Sequence, residues 1–403
     1  MDHGAMRILL GVTGGIAAYK AADLARLLTK RGHTVRCVLT EAGARFITPL
    51  TLASLTGEPV SGANPDRAEW RPSPVIEHIE LARWADVVCV APATADILGK
   101  TANGLADDLL STILLAARVP VLWAPAMNTS MWDHPAVQAN VERLRDFGHR
   151  IVEPVGGLLA CGEEGTGKLA EVEAIAETLQ WIASPRHPAY NGKRILVTAG
   201  PTREDLDPVR TLTNRSSGAM GVELARALRD RGADVILVLG GDLPAPLGVD
   251  TVRVRSAEEM LAACREAWPG SVGLFAAAAV ADQRPKHSSA EKAKKLEGPE
   301  VLNLVRTPDV LATLSERRSD GQWLVGFAAE SERHLENARA KLTKKKLDAI
   351  LVNDISSGKG FGPQANTLIP VTAQGSEKAL GPLPKEGLAQ AVVEWWGARL
   401  LGR

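Results

Sequence analysis

A strand-like run, RILLGV at 7–12, opens directly onto Thr13-Gly14-Gly15-Ile16 and then onto a helical pattern. Glycines between a strand and a helix let backbone N–H groups meet a phosphate at the helix N-terminus. They equally suit a plain tight turn, so this loop alone leaves both readings open. Two further segments repeat the design. VVCVAPATADILGK at 87–100 runs into Pro92 and small residues, and VPVLWAPAMNTSMW at 119–132 carries Met127 and Asn128 just past its strand. Open α/β sheets bind ligands in the crevice beyond the carboxyl ends of such strands. The same half carries His78, on helical spacing ahead of the strand at 87. It also holds Cys161, the one thiol in the glycine-dense loop VGGLLACGEEGTGKLAE at 155–171. A lone histidine or cysteine is usually structural, so these two gain meaning only from their company.

The second half offers different chemistry. TAGPTREDLDPVRTLTNRSSG at 198–218 has too many polar and small residues to be only a strand-to-helix turn. AAAAVADQRP at 276–285 reads as a strand of small residues opening onto Asp282. EKAKK at 291–295 and ARAKLTKKKLDAILVND at 338–354 concentrate positive charge, with Lys341 and Lys345 one helical turn apart and so on one face. Lys344 and Lys346 read as a solvated face. Lys+Arg and Asp+Glu balance at 47 each, so no global basic field exists to hold nucleic acid or a membrane surface. Any anion site must be local.

The elements that position these residues follow from periodicity. A chain of 403 residues is long for one core, and two domains are expected. The halves echo each other: 7–40 and 194–240 each give a β-rich run, a Gly-bearing loop, an amphipathic helix, an Arg-Gly stop and another β-rich run. Ala21, Leu24 and Leu28 recur at helical spacing in one, and Met220, Leu224, Ala227 and Leu228 in the other, with Gly32 and Gly232 suited to the left-handed stop. Strand–helix–strand units of this kind make parallel sheets. The stretch 181–194, with two prolines, a glycine and no apolar periodicity, places a linker at about 184–191, giving domains at 1–187 and 188–403. Lys385 to Leu401 reads as a packing helix rather than a binding site. Neither opening loop is GxGxxG and no GxxxxGK[ST] follows a strand, which weakens dinucleotide and P-loop readings. Four scattered cysteines suggest a reducing compartment, the start lacks a secretory pattern, and the apolar runs are too short to span a bilayer.

Five ordered segments, GGIAAYK, EHIEL, APATAD, PAMNTSMW and ACGEEGTGK, resemble the flavin-containing cysteine decarboxylases, and more closely those acting on 4′-phosphopantothenoylcysteine. The resemblance covers about 6–180 and implies a flavodoxin-like, Rossmann-type α/β fold. It also implies FMN chemistry, in which the substrate thiol is oxidised to a thioaldehyde so that carbon dioxide can leave, and the product is then reduced. It gives His78 the part of a proton handler, for which an imidazole pKa of about 6.5 is suited. Asn128 would orient the substrate carboxylate without adding charge, and Cys161 would be the acid that protonates the intermediate. Gly14, Gly15, Ile16, Thr40, Thr94 and Met127 would contact FMN.

From about 190 to 403 the chain resembles phosphopantothenate–cysteine ligases, which implies a second Rossmann-like α/β domain. The implied reaction uses CTP to turn the 4′-phosphopantothenate carboxylate into an acyl-cytidylate, which L-cysteine then attacks. Carboxylate and triphosphate repel, so fixed cations are needed. By this resemblance Asn214 and Arg210 stabilise the acyl-cytidylate, and Lys292, Lys341 and Lys345 hold phosphates. Asp282 bears on the nucleotide through Mg2+, and Ala279, Pro308, Asp309 and Phe327 shape the CTP pocket. Two departures from the family pattern are EKAKK, where an isoleucine commonly sits in the middle, and Arg215, where a histidine is frequent. The resemblance further implies a cytoplasmic homo-oligomer with dimeric ligase halves and a higher-order decarboxylase core. Rival readings are a non-enzymatic flavin-binding scaffold and a decarboxylase for another cysteine-containing substrate.

Overall fold

The computed structural model describes residues 5–62, 76–159, 162–292, 301–330, 332–355 and 364–402. The chain divides between Ser184 and Pro185 into two compact units, each built on its own sheet.

In the first unit, β1 (Arg7–Val12), β2 (Thr34–Leu39), β3 (Val60–Gly62), β4 (Val87–Ala93), β5 (Val121–Pro125) and β6 (Arg150–Ile151) form a sheet in the order β3-β2-β1-β4-β5-β6. Every pairing in it is parallel. Side chains alternate across a strand, so β1 sends Ile8, Leu10 and Val12 into one core and Leu9 into the other. The helix Tyr19–Lys30 buries Ala21, Leu24 and Leu28 as its spacing predicts, and Gly32 takes the left-handed position after it. A hairpin of β7 (Val155–Leu158) and β8 (Glu164–Lys168) stands apart from the main sheet.

The second unit repeats the plan. β9 (Arg194–Ala199) is followed by a small hairpin, β10 (Arg203–Asp205) with β11 (Thr211–Thr213). Then come β12 (Asp234–Gly240), β13 (Asp250–Val254) and β14 (Gly273–Ala276), and a two-stranded pair of β15 (Gln283–Pro285) with β16 (Leu304–Arg306). β17 (Trp323–Glu330), β18 (Ala349–Asp354), β19 (Asn366–Thr372), β20 (Gly375–Ser376) and β21 (Leu380–Leu383) complete it. The main sheet runs β13-β12-β9-β14-β17-β18-β19-β20, with β21 also on β19. It is parallel as far as β18, where β19 joins antiparallel. Both sheets therefore reverse their winding beside their first strand, between β1 and β4 and between β9 and β14. Such a reversal leaves an open crevice at the carboxyl edge.

One sequence expectation changes. The small-residue run 276–285 is not one strand: β14 ends at Ala276. Beyond it pairing with β17 stops, while contact with the chain after β9 continues in register: Ala277 N donates to Thr198 O at 3.0 Å and Ala279 N to Gly200 O at 2.9 Å, with a parallel bridge between Ala279 and Pro201. Gly200 in that chain packs closely against the end of β12. It has φ +81°, and a Cβ there would stand 1.8 Å from the Gly240 carbonyl oxygen. Among the described residues no helix is long and apolar enough to cross a membrane.

Candidate active sites

At the first switch point a single hydroxyl ties two strand ends together. Thr13 Oγ1 donates to Pro92 O at 2.7 Å and accepts from Thr94 N at 3.2 Å. The loop after β1 is thereby held against the loop after β4. Gly14 packs so closely that an added Cβ would lie 2.5 Å from Ala42 Cβ, whereas Gly15 faces open space with the Thr94 methyl at 3.8 Å. Gly15 is extended and precedes a short 3-10 turn, Ile16–Ala18, whose first amides have no acceptor within the turn. Thr40 adds a hydroxyl from the end of β2, accepting from Gly43 N at 3.0 Å. Ile16 and Tyr19 keep large apolar surfaces exposed beside it. Amides and hydroxyls beside an exposed apolar edge fit a flat, phosphorylated group such as a flavin mononucleotide. Thr13 was not anticipated; its signal was a hydroxyl between an apolar strand and the two glycines.

Asn128 sits at the end of β5 as the N-cap of the helix Thr129–Trp132. Its Oδ1 accepts from Ser130 N at 2.8 Å, and its Nδ2 donates to Glu163 Oε2 at 2.6 Å. Met127 N donates to Gly167 O at 3.0 Å, which brings the glycine-dense hairpin onto the β5 loop. A Cβ at Gly167, where φ is +155°, would lie 2.2 Å from Met127 O, so only glycine lets the two backbones meet there. Glu163 is a partner the sequence reading did not name. His78 lies half-buried in the first turn of the helix Glu77–Trp84, on a separate element from Asn128. Cys161 lies outside the described residues. The other three cysteines are buried, and burial pushes the Cys37 and Cys264 thiols up to about 12 and that of Cys89 higher still. Thiols held protonated in this way are structural.

At the second switch point a cavity of about 1030 Å³ opens at the carboxyl edge. Thr198 and Ala276 contribute from the strand ends, and the segment 277–282 forms one wall, with Ala279 and Asp282 in it. Pro308, Asp309, Phe327, Lys341, Lys345 and Asn214 line it too, as anticipated. Asn214 Nδ2 donates to Ala279 O and Val280 O, both at 3.1 Å, so this side chain adds to the Ala279–Pro201 bridge in holding the wall. Among the described residues no cluster of three His, Cys, Asp or Glu side chains gathers for a metal. Asp282 alone suits a Mg2+ whose other ligands are mostly phosphate oxygens and water.

Two anticipated residues stand elsewhere. The Arg210 side chain turns back to the buried Asp207, Nε to Oδ2 at 2.8 Å, and is not among the cavity-lining residues. Lys292 is exposed and likewise does not line it. Arg215, Arg306, Asn353, Asn366 and Lys385 line the cavity without having been singled out for it.

The two lysines are not free charges. Lys341 Nζ bonds Glu330 Oε1 at 2.5 Å, and Lys345 Nζ lies 2.9 Å from Asp309 Oδ1. Burial alone would raise the Asp309 carboxyl, but bonds from Lys345 and the Ala312 amide outweigh it and hold the group below the usual carboxylate range. A carboxyl depressed on folding stabilises the protein above its unfolded pKa of about 3.9 and loses that contribution as pH falls through the lower folded value. Asp309→Asn is therefore expected to lower the thermal midpoint at pH 7. The gap to the parent should narrow as pH falls below the unfolded pKa of about 3.9. Thermal denaturation of both proteins across that range checks it, and a gap independent of pH would refute the ion-pair account.

The comparisons with known proteins agree with this division. The Flavoprotein family matches residues 1–183, and the family described as DNA/pantothenate metabolism flavoprotein C-terminal domain matches residues 190–398. Coenzyme A biosynthesis bifunctional protein CoaBC of Vibrio cholerae is 43% identical over 391 residues, 96% of this chain and 96% of that protein. The protein of the same name from Bacillus subtilis is 44% identical over 391 residues, 96% and 95% of the two chains. A crystal structure of the C-terminal domain of a CoaBC protein is 39% identical, covering 53% of this chain and 99% of that one, with a TM-score of 0.46. Two units, each matched by its own family and both spanned by full-length relatives, leave one assignment: the chain belongs to the family of bifunctional coenzyme A biosynthesis proteins.

Proposed function

We propose that residues 188–403 join L-cysteine to 4′-phosphopantothenate at the expense of CTP, and that residues 1–187 decarboxylate the resulting 4′-phosphopantothenoylcysteine to 4′-phosphopantetheine. The observation that carries the ligase half is the cavity at the second switch point, which gathers Asn214, Asp282, Lys341 and Lys345 around one space. The carboxylate of the acid attacks the α-phosphorus of CTP, pyrophosphate leaves, and the amine of cysteine then displaces CMP from the acyl-cytidylate. Lys341 and Lys345, each paired with an acidic partner at the cavity, lie where a phosphate can compete with that partner for the ammonium. Asp282 would hold a Mg2+ ion, which would neutralise charge on the triphosphate. Arg210 and Lys292 act only if their loops bring them to the cavity when substrates bind, a lid-like closure common in such enzymes.

In the first unit, flavin mononucleotide when bound supplies the two-electron oxidation of the substrate thiol and its later reversal. The chain does the rest. Gly15, Ile16, Thr40 and Thr94 fix the cofactor at the β1–β4 crevice. Asn128 orients the substrate carboxylate, His78 handles a proton, and Cys161 delivers one. The exposed apolar residues Ile16, Tyr19, Phe46 and Leu50 support a homo-oligomer built around this unit, with dimeric ligase halves. The same reading puts the chain in the cytoplasm.

The test supplies 4′-phosphopantothenate, cysteine, Mg2+ and each nucleoside triphosphate in turn, and follows pyrophosphate and carbon dioxide together. Pyrophosphate with CTP followed by carbon dioxide is the expected result. Pyrophosphate without carbon dioxide would refute the decarboxylase half. Neither product, with flavin bound and Mg2+ present, would refute both halves in favour of a flavin-binding scaffold.

A further inference from the structure

The helix Lys385–Leu401 packs as its spacing predicts, burying Leu388, Val392 and Trp396, yet its first residue lines the ligase cavity. The topology explains how. β21 returns along β19 to the carboxyl edge, placing Leu383 opposite Asn366, and the helix starts there two residues later. It runs beside the helix Ala219–Asp230 in a shared core, and Gly218, Ala219 and Met220 at the start of that second helix also line the cavity. Two helix N-termini thus lend their partial positive charge to one space.

Lys385 differs from the cavity's other lysines. Glu330 balances Lys341 and Asp309 balances Lys345, whereas among the described residues no carboxylate pairs with Lys385. Its ammonium is half-buried, and desolvation with no opposing charge pushes its pKa down. On the same side of the sheet edge, Asn353 at the end of β18 has a buried Oδ1 without a hydrogen-bond partner, and it too lines the cavity. The unbalanced cation suits an anionic group, and the unmet Asn353 acceptor suits a hydroxyl or amide N–H donor on the same ligand.

We propose that Lys385 binds a phosphoryl group of one of the two phosphorylated ligase substrates. The proposal rests on the ligase reading above and adds a cation on the face opposite Lys341 and Lys345. Two sources share the chemistry: the triphosphate of CTP and the phosphomonoester of 4′-phosphopantothenate.

The experiment measures pyrophosphate release by the full chain and by Lys385→Gln and Lys385→Arg, varying each substrate separately. Loss of one charge-assisted contact is expected to raise KM for one phosphorylated substrate about tenfold or more in Lys385→Gln. KM for cysteine should be unchanged, and Lys385→Arg should restore most of the loss. A rise confined to CTP assigns the triphosphate, and a rise confined to 4′-phosphopantothenate assigns the monoester. If the parent ligates and neither KM moves in Lys385→Gln, the assignment is overturned while the ligase reading stands. If the parent itself does not ligate, both fall.

Discussion

Replacing Asn214 with alanine is expected to cut ligation by about 10²- to 10³-fold, the usual cost of removing one preorganised polar group from a reacting centre. Flavin-dependent decarboxylation should continue at the parent rate. Asn214 spans the gap where β14 has ended, holding the carbonyls of Ala279 and Val280 at 3.1 Å each. The segment so pinned carries Asp282 and forms one wall of the cavity. Alanine removes both of these bonds in a single change and loosens that wall, which the Ala279–Pro201 bridge still holds. The side chain is exposed, so the substitution should barely alter the thermal midpoint, and the loss should fall on kcat more than on KM. Pyrophosphate release and amide formation measured together check this. Ligation within threefold of the parent would remove Asn214 from the mechanism.

The second large effect is expected at Asn128. Asn128→Ala should lower carbon dioxide release from 4′-phosphopantothenoylcysteine by about 10²-fold or more, with pyrophosphate release by the other unit unaffected. This variant loses the cap to Ser130 N and the bridge to Glu163. Loss of the cap alone costs about 1 kcal/mol and could be mistaken for the whole effect. Asn128→Asp separates the two. Aspartate caps a helix as well as asparagine does, but it sets a second carboxylate against Glu163 and against the incoming substrate carboxylate. Decarboxylation should therefore fall in Asn128→Asp while the thermal midpoint stays near the parent's. Full activity in Asn128→Asp would mean that Asn128 serves only as a cap.

Much of this architecture was legible before any coordinates. The apolar runs at β1, β4 and β9, the helical spacing of Leu24 and Leu28, and the glycines ending both helices identified two wound α/β units. Each is a local property: side-chain period and backbone permission act over a few residues. The separated segments that carry His78, Asn128, Asn214 and Asp282 were legible for the same reason, since each lies just beyond or ahead of an element that its own residues specify.

What local pattern could not supply was the partner of each group. Nothing near Lys341 or Lys345 in sequence announces Glu330 or Asp309. Nothing marks Glu163 as the acceptor for Asn128, and Arg210 carried no sign that it turns back to Asp207. The run 276–285 looked like one strand because its residues suit one. Its pairing with β17 stops at Ala276, and only the contact with the chain after β9 goes on beyond. Lys385 is the plainest case. Its sequence context is a packing helix, and it reaches the ligase cavity because β21 folds back along β19 to the sheet's carboxyl edge. The sequence by itself determined which elements form and which carry polar side chains at their ends. Tertiary structure alone decided which charges are balanced and which face the cavity, because strand order and long-range hydrogen bonds bring together groups that the chain keeps far apart.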